Sequence, residues 1–403
     1  MEVVDELLSE HVERFYERLG PGGEVRCFFS PGRVNLMGAH LDYNGGPVMP
    51  MAIDRGTFIA LRPRSDRLVR MVSTSAEGEF EFDLGTADDT QERPTGAWYD
   101  YPLGVLLHQR RKTSRLEGMD LLFGGNLSIG AGLSSSASMC IGTAMALDRY
   151  WELGDERIDL VEGALWAERE FVGVHCGIMD PYAVGMSRAD HLLWLDCRNR
   201  VTEHLPLDSR QVRIAVADSG VRRDLAESAF NQRVAECARA FELLRAGMPE
   251  AECLVDVPRE HLEAMRSELS TAEFHRATHV LDEFERTRIA KRALEVGDLA
   301  GFGEQMSAAH RSLRDLFEVS ISELDCLVDG ANAWPGVLGA RLTGAGFGGS
   351  VVILLRTDAC EGFTDYLQRT FRERFGKETA VAFFAGDRGP RTVGDTWTQT
   401  ATA

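Results

Sequence analysis

The sequence is short of positive charge, with 44 lysines and arginines against 63 aspartates and glutamates in 403 residues. The formal net charge of −19 lacks the cationic footprint that nucleic acids and anionic membranes require, so neither is an expected partner. The longest apolar runs, such as residues 351–355, are far too short to cross a bilayer. Residues 1–13 are acidic and amphipathic, without the basic and apolar regions of a signal peptide, so we predict a cytoplasmic protein.

Paired cysteines and a Walker A loop are also absent. The eight cysteines are scattered without a C-x-x-C pair, which disfavours a zinc site and favours free thiols in a reducing compartment. The pattern G-x-x-x-x-G-K-[ST] does not occur.

The chain is long for one core, so we predict two domains, residues 1–207 and 208–403, divided near Pro206, which interrupts the order of the predicted elements.

The order of the predicted elements is that of an α+β protein rather than of regular βαβ repeats. The first half has a helix at 2–19, followed by alternating patterns that predict strands at 24–30, 47–62 and 66–82. The second half is largely helical from 222 to 333 and then alternates strand and helix to residue 384. The end of the chain, residues 394–403, is expected to be loosely ordered.

Four segments carry candidate chemistry. The first is P-G-R-V-N-L-M-G-A-H-L-D-Y-N-G-G at 31–46, in which Arg33, His40 and Asp42 can hydrogen-bond a polyhydroxylated ligand. The second is G-A-G-L-S-S-S-A-S at 130–138, between a predicted strand and helix. Its glycines, serine hydroxyls and helix N-terminal N–H groups suit a phosphate group, although a Gly/Ser turn with an N-cap serine has the same pattern.

The other two segments are A-E-R-E-F-V-G-V-H-C-G-I-M-D at 167–180 and A-R-L-T-G-A-G-F-G-G-S at 340–350. The four together resemble the motifs of the galactokinases, a family of the GHMP small-molecule kinases, and the resemblance covers nearly the whole chain. It implies the GHMP fold of two α/β domains, the first like ribosomal protein S5 domain 2 and the second ferredoxin-like, with the active site in the cleft between them.

The resemblance also implies roles for residues. Asp180 would face the reacting hydroxyl with Arg33 beside it, and we expect Asp180 to be ionised and to act as base or as electrostatic orienter. ATP would be the co-substrate and Mg²⁺ the cofactor, held by Ser136 and Glu168. The implied nucleotide-binding residues are Gly130, Gly132, Leu133, Ser134, Ser135, Ser136 and Ala137. The implied sugar-binding residues are Ala39, His40, Asp42, Gly177, Asp180 and Phe230.

Two of these positions depart from the galactokinase pattern. Ala39 stands where the family has a glutamate that binds the C6 hydroxyl, and Phe230 stands where it has a tyrosine that touches C4. A glutamate about 4 Å from a C6 carboxylate would repel it by roughly 1–4 kcal/mol, and alanine removes that repulsion. Plant galacturonokinases in this family also resemble G-A-H here, but the sequence shows no new cation to pair a C6 carboxylate.

The sequence therefore predicts an ATP-dependent sugar 1-kinase acting on the anomeric hydroxyl of a galactose-configured sugar. D-galacturonic acid is the first expectation, with D-galactose and then L-arabinose as alternatives. A regulatory protein that senses sugar and ATP is the non-enzyme alternative, and the intact serine loop at 132–138 favours the enzyme. Monomer and dimer are both open. His279 and His310 lie in helical segments remote in sequence from the motifs, and we expect both to be structural.

Overall fold

The computed structural model describes residues 2–85, 92–127, 132–174, 176–222 and 226–398. Within these ranges thirteen strands occur. In chain order they are β1 (Glu24–Asn35), β2 (Pro47–Val48), β3 (Pro50–Pro63), β4 (Leu68–Ser73), β5 (Phe80–Asp83), β6 (Met119–Gly125), β7 (His191–Asp196), β8 (Val201–Pro206), β9 (Val212–Asp218), β10 (Val337–Thr343), β11 (Ser350–Arg356), β12 (Ala380–Phe384) and β13 (Arg391–Thr398).

The same ranges contain eleven α-helices. They are α1 (Glu2–Leu19), α2 (Asp100–Lys112), α3 (Ser135–Trp151), α4 (Arg157–Trp166), α5 (Met179–Gly185), α6 (Ala226–Arg245), α7 (Arg259–Ala264), α8 (Thr271–Glu295), α9 (Leu299–Asp315), α10 (Ser322–Asn332) and α11 (Phe363–Phe375). A π-helical turn, Ala167–Val172, continues α4. None of the helices in the described ranges combines the length and the apolar character that a bilayer span needs.

A six-stranded sheet, in the order β13-β1-β3-β6-β4-β5, forms the first layer. Its neighbours are antiparallel except for β4 and β6. The alternation of side chains along a strand sends Phe28 and Ile59 into the core beneath α2, α3 and α4, and sends Phe29 and Phe58 into a second core beneath α1. The sheet is therefore covered on both faces.

A four-stranded antiparallel sheet, in the order β10-β11-β9-β12, forms the second layer. Its strand β11, S-V-V-I-L-L-R, is an almost continuous apolar run, as is typical of a strand that is buried on both faces. Val351 and Ile353 pack towards α6, α8, α10 and α11, whereas Val352 and Leu354 pack towards α9. A small third sheet, in the order β2-β7-β8, completes the set.

The C-terminal ends of β1 and β10 meet, and this contact places the candidate site. The Arg341 Nη1 atom donates to the Leu36 carbonyl oxygen at 3.1 Å, and Thr343 Oγ1 donates to the Asn35 carbonyl oxygen at 3.4 Å. The turn that follows β1, from residue 36 onwards, and the glycine-rich 344–349 loop therefore start from neighbouring points, although they are about 300 residues apart in sequence.

The α+β class predicted from the sequence is confirmed. The single strand predicted at 66–82 is wrong, because a turn divides it into β4 and β5. The short elements α5 and β8 were not predicted, and the boundary at residues 207 and 208 stays a prediction.

The expectation of a loosely ordered end is wrong for residues 394–398. They lie in β13, which pairs with β1, and Val393 and Trp397 pack against the core beneath α1. Gly394, with a φ of +68°, interrupts the alternation by which this strand could have been recognised. Residues 399–403 of that prediction lie outside the described residues.

Candidate active site

The turn that follows β1 is held by a helix from the far half of the chain. Gly38 and His40 both have positive φ, +84° and +61°. The Glu283 carboxylate of α8 is fully buried and accepts the N–H groups of Gly38 and Ala39 through Oε1, at 3.0 and 3.2 Å. Arg286 Nε donates to the other oxygen at 2.9 Å. A remote carboxylate therefore fixes the peptide that presents Ala39 and His40.

A cavity of about 180 Å³ lies beside this turn. Every residue predicted to bind sugar lines it, together with Arg33. The full lining is Arg33, Asn35, Gly38, Ala39, His40, Asp42, Tyr43, Cys176, Gly177, Met179, Asp180, Phe230, Arg341, Gly344 and Ala345. The volume suits a small polar molecule that can make several hydrogen bonds.

One end of the cavity, which we call the acid–arginine end, is lined by Arg33 and Asp180, with Ser134 behind them. Arg33 Nε donates to Asp180 Oδ1 at 2.7 Å and Arg33 Nη2 donates to Oδ2 at 2.8 Å. The Ser134 hydroxyl also donates to Asp180 Oδ2. The third guanidinium nitrogen, Nη1, donates to the Gly132 carbonyl oxygen at 2.6 Å. A forked pair of this kind holds the carboxylate in one orientation.

Asp42 and Gly177 form the wall next to that end. Gly177 lies so close to the Asp42 carboxylate that any side chain at position 177 would overlap it. Burial raises the pKa of Asp42 from its ordinary 3.8 to about 6, and the negative charge of Asp180 adds to the shift. A side chain at position 177 would therefore displace the Asp42 carboxylate from its place in the wall.

The predicted nucleotide loop adjoins the acid–arginine end. Leu133 accepts the Arg33 N–H through its carbonyl oxygen at 3.1 Å, and Ser134 has a φ of +60°. Ser135 then begins α3, a helix of 17 residues, and the side chain of Ala137 is fully buried. The N-terminus of such a helix attracts anions through its free N–H groups. Gly130 lies outside the described residues.

Glu168 and Ser136 form a pair of oxygen donors next to this loop. Glu168 is 3% exposed, and burial raises its pKa from 4.5 to about 7, against the lowering effect of a hydrogen bond from Ser136. The described residues contain no group of three or more His, Cys, Asp or Glu side chains arranged for a metal. A carboxylate and a hydroxyl fit Mg²⁺, which keeps waters and takes phosphate oxygens as its remaining ligands.

A second group of lining residues, which we call the Ala39 end, consists of Asn35, Ala39, His40 and Arg341. Asn35 Oδ1 and His40 Nε2 are buried without a hydrogen-bond partner. His40 Nδ1 lies 3.0 Å from the Tyr43 hydroxyl. Burial lowers the pKa of His40 to about 3, with the charges of Arg341 and Arg233 acting in the same direction. His40 is therefore neutral at physiological pH.

Arg341 was not predicted as a site residue. It is 1% exposed, and besides Leu36 it donates to its neighbour's carbonyl oxygen at 3.0 Å. Its Nη1 atom lies 3.7 Å from Glu283 Oε1. The signal in the sequence that could have identified this cation is its place in the glycine-rich 340–350 motif.

Phe230 stands between the cavity and a larger one of about 810 Å³, and it lines both. Its ring centroid is 5.9 Å from that of His40 and 5.8 Å from that of Tyr43.

His279 and His310 do not line the smaller cavity. His279 Nδ1 lies 2.8 Å from the Ser312 hydroxyl, and His310 Nε2 lies 3.2 Å from an Asp325 carboxylate oxygen.

Three family models match the chain. The galactokinase galactose-binding signature matches residues 9–63, the GHMP kinases N terminal domain matches residues 100–188, and the GHMP kinases C terminal model matches residues 290–373. The chain also resembles mevalonate kinase of Methanococcus jannaschii, with a TM-score of 0.65 over 91% of this chain and 100% of that one, at 18% identity. The fold is that of the GHMP kinases.

Curated relatives are similar over almost their whole length. A protein of Roseiflexus sp. (strain RS-1) named galactokinase is 41% identical over 92% of this chain and 93% of its own. Another with that name, from Enterococcus faecalis, is 38% identical over 97% and 98%. Lactococcus lactis galactokinase, solved in complex with galactose, superposes with a TM-score of 0.89 at 34% identity, covering 96% of this chain and 100% of that one. The chain belongs to the galactokinase family of the GHMP kinases and is a sugar kinase of the galactokinase type.

Proposed function

We propose that the protein transfers the γ-phosphate of ATP to the anomeric hydroxyl of a galactose-configured sugar. The observation that carries the proposal is the forked Arg33–Asp180 pair, which stands between the sugar-sized cavity and the N-terminus of α3. A sugar in the cavity would present one hydroxyl to Asp180. A nucleotide on the loop at 132–137 would present its terminal phosphate to the same point.

Phosphoryl transfer needs alignment and charge neutralisation more than covalent help from the protein. In this arrangement Asp180 orients the attacking hydroxyl or accepts its proton, and Arg33 holds the carboxylate in place. The first turn of α3 would offer its free N–H groups to the phosphates, with Ser135 and Ser136 in the same turn. Mg²⁺ held by Ser136 and Glu168 would supply positive charge to the phosphoryl oxygens when bound.

D-galactose is the first candidate substrate. The relatives at 38–41% identity carry the name galactokinase, and the Lactococcus lactis structure contains galactose. His40, Asp42 and the backbone of Gly177 all line the cavity and can accept or donate hydrogen bonds to a hexose. These comparisons do not support the D-galacturonic acid that the sequence analysis placed first.

D-galacturonic acid stays a second candidate because of the Ala39 end. Position 39 contributes a methyl group rather than a carboxylate, and Arg341 supplies a buried cation in the same cavity. The unpartnered His40 Nε2 atom could bond either a hydroxyl or a carboxylate at C6, depending on its tautomer. L-arabinose, which has no C6, would leave this end unfilled and ranks third.

The test is ADP release with Mg-ATP, measured by kcat/KM for D-galactose, D-galacturonate and L-arabinose. We expect turnover with at least one, and a preference for D-galactose. A tenfold or larger preference for galacturonate would move the assignment to the second candidate. No ADP release from folded protein with any of the three sugars would contradict the kinase and favour the sensor alternative.

A further inference from the structure

A buried charge cluster lies just outside the cavity and lines none of it. Glu236 and Arg233 stand on α6 and Arg276 on α8, with 4%, 9% and 2% of their surfaces exposed. Arg276 Nε donates to Glu236 Oε2 at 2.7 Å, and Arg233 Nη1 donates to the same oxygen at 3.3 Å. One carboxylate thus joins two guanidinium groups. We call Arg233, Glu236 and Arg276 the Glu236 cluster.

The two arginines extend from the cluster to one backbone segment, residues 316–318, which follows α9. Arg276 donates to the Leu316 carbonyl oxygen and, at 2.6 Å, to the Glu318 carboxylate. Arg233 donates to the carbonyl oxygens of Phe317 and Glu318 at 2.8 and 3.0 Å. Three consecutive carbonyl groups are therefore bound by arginine. Such bonds hold Glu318 at a φ of +56°, in the left-handed region that non-glycine residues rarely adopt.

The bound segment supports the sugar cavity from two sides. The Phe317 ring is fully buried, and its centroid lies 4.5 Å from that of His40. Two residues after Phe317, the Val319 carbonyl oxygen accepts the Phe347 N–H at 2.7 Å. Phe347 belongs to the glycine-rich loop whose Gly344 and Ala345 line the cavity. A shift of residues 316–319 would move His40 and the glycine-rich loop together.

We propose that the Glu236 cluster positions the sugar-binding walls of the cavity: by fixing residues 316–319 it sets where His40 and the glycine-rich loop lie. This inference rests on the proposed function, because it assigns Arg233, Glu236 and Arg276 as positioning residues for the sugar of that reaction. The nucleotide loop at 132–137 makes none of these contacts. Loss of the cluster should therefore change recognition of the sugar and leave that of ATP unchanged.

A second arginine cluster in the same chain provides a matched control. Arg62 donates to the buried Asp120 carboxylate at 2.6 Å through Nη2. It also donates to the carbonyl oxygens of Leu19, Gly20 and Gly22, each at 2.7 Å. The chemistry is the same, a buried carboxylate with an arginine that binds three backbone carbonyls, but none of its members lines the cavity.

The experiment compares Arg276→Lys with Arg62→Lys. Lysine keeps the charge, but a single ammonium cannot reproduce the planar fork that bonds Glu236, Leu316 and Glu318 together. We expect Arg276→Lys to raise the KM for the preferred sugar by about 10- to 100-fold, as loss of supporting contacts typically does, with KM for ATP within about twofold of wild type. Arg62→Lys should lower the melting temperature and leave both KM values unchanged.

Phe317→Leu is the second variant, since it keeps an apolar side chain and removes only the ring beneath His40. It should raise the sugar KM in the same direction even if Arg276→Lys fails to fold. Folded variants whose sugar KM stays within twofold of wild type would overturn the positioning role. Equal increases in both KM values would overturn it as well, because they indicate general disorder. An inactive wild-type protein would contradict the proposed function instead, so the two failures are distinguishable.

Discussion

The two ends of the cavity differ in how completely their polar groups are paired. At the acid–arginine end each oxygen of Asp180 accepts a hydrogen bond from Arg33, whose remaining nitrogen binds the nucleotide loop. At the Ala39 end, Asn35 Oδ1 and His40 Nε2 are buried without partners. The polar groups at the acid–arginine end are thus already hydrogen-bonded within the protein, whereas two polar atoms at the Ala39 end are not.

This difference in pairing suits the two ends to different tasks, phosphoryl transfer at one and selection of the sugar at the other. A paired carboxylate keeps its orientation before a ligand arrives, which is what a reacting group requires. A buried polar atom without a partner costs about 1–3 kcal/mol, and a ligand that bonds it removes that cost. We infer that the acid–arginine end is preorganised for transfer, whereas the Ala39 end is completed by the correct sugar.

The largest expected effect is at the acid–arginine end. Asp180→Asn keeps the shape but removes the charge and the proton-accepting oxygen, so kcat should fall by about 10²- to 10⁴-fold while calorimetric ATP binding persists. The control is Asp66→Asn, which alters a comparable forked pair with Arg64 outside the cavity. Unchanged kcat in Asp180→Asn would contradict the assigned role.

The next effect is at the Ala39 end. Ala39→Glu should raise the ratio of kcat/KM for galactose to kcat/KM for galacturonate by about tenfold or more, because the new carboxylate repels the carboxylate of the uronic acid. Ala39→Gln is the matched control, since it adds the same volume without charge. If both variants change the ratio equally, size rather than charge discriminates at C6.

A pH effect should arise at Asp42, beside the acid–arginine end. Its pKa of about 6 means that the folded protein holds this proton at lower pH and forms the carboxylate as the pH rises through 6. Sugar affinity without nucleotide, measured by calorimetry, should weaken by about tenfold from pH 7 to pH 5, where roughly nine tenths of the carboxyl groups are protonated. Asp42→Asn should bind weakly at both pH values. A pH-independent affinity in the wild type would contradict the role of Asp42.

The smallest effect is expected at Phe230. Phe230→Tyr adds a hydroxyl beside the sugar and should raise kcat/KM for galactose by about 2- to 10-fold. This increase corresponds to one ordinary hydrogen bond of about 0.5–1.5 kcal/mol. Phe241→Tyr, on the same helix but outside the cavity, is the control. A decrease in Phe230→Tyr would indicate that the ring fills space that the sugar needs.

Much of the fold and of the site was predictable because its signals are local. Helices such as α1 and α3 follow from apolar periodicity and from glycine or serine at their ends. The strand β13 was missed because an eight-residue segment with a central glycine carries little signal, and its order depends on pairing with β1. The short helix α5 was missed because seven residues are too few to show a period.

The residue types of the reaction, an arginine, an aspartate and a serine loop, could be identified from short motifs in the sequence. These groups act through local geometry, so their spacing along the chain is informative. The places of Glu283, Arg341 and Phe317 around the turn at Ala39 became apparent only once the chain was folded, because their contacts with the turn span about 240 to 305 residues. The burial and the hydrogen-bond partners of a side chain depend on which distant segments of the chain meet around it. A short motif carries no information about those segments.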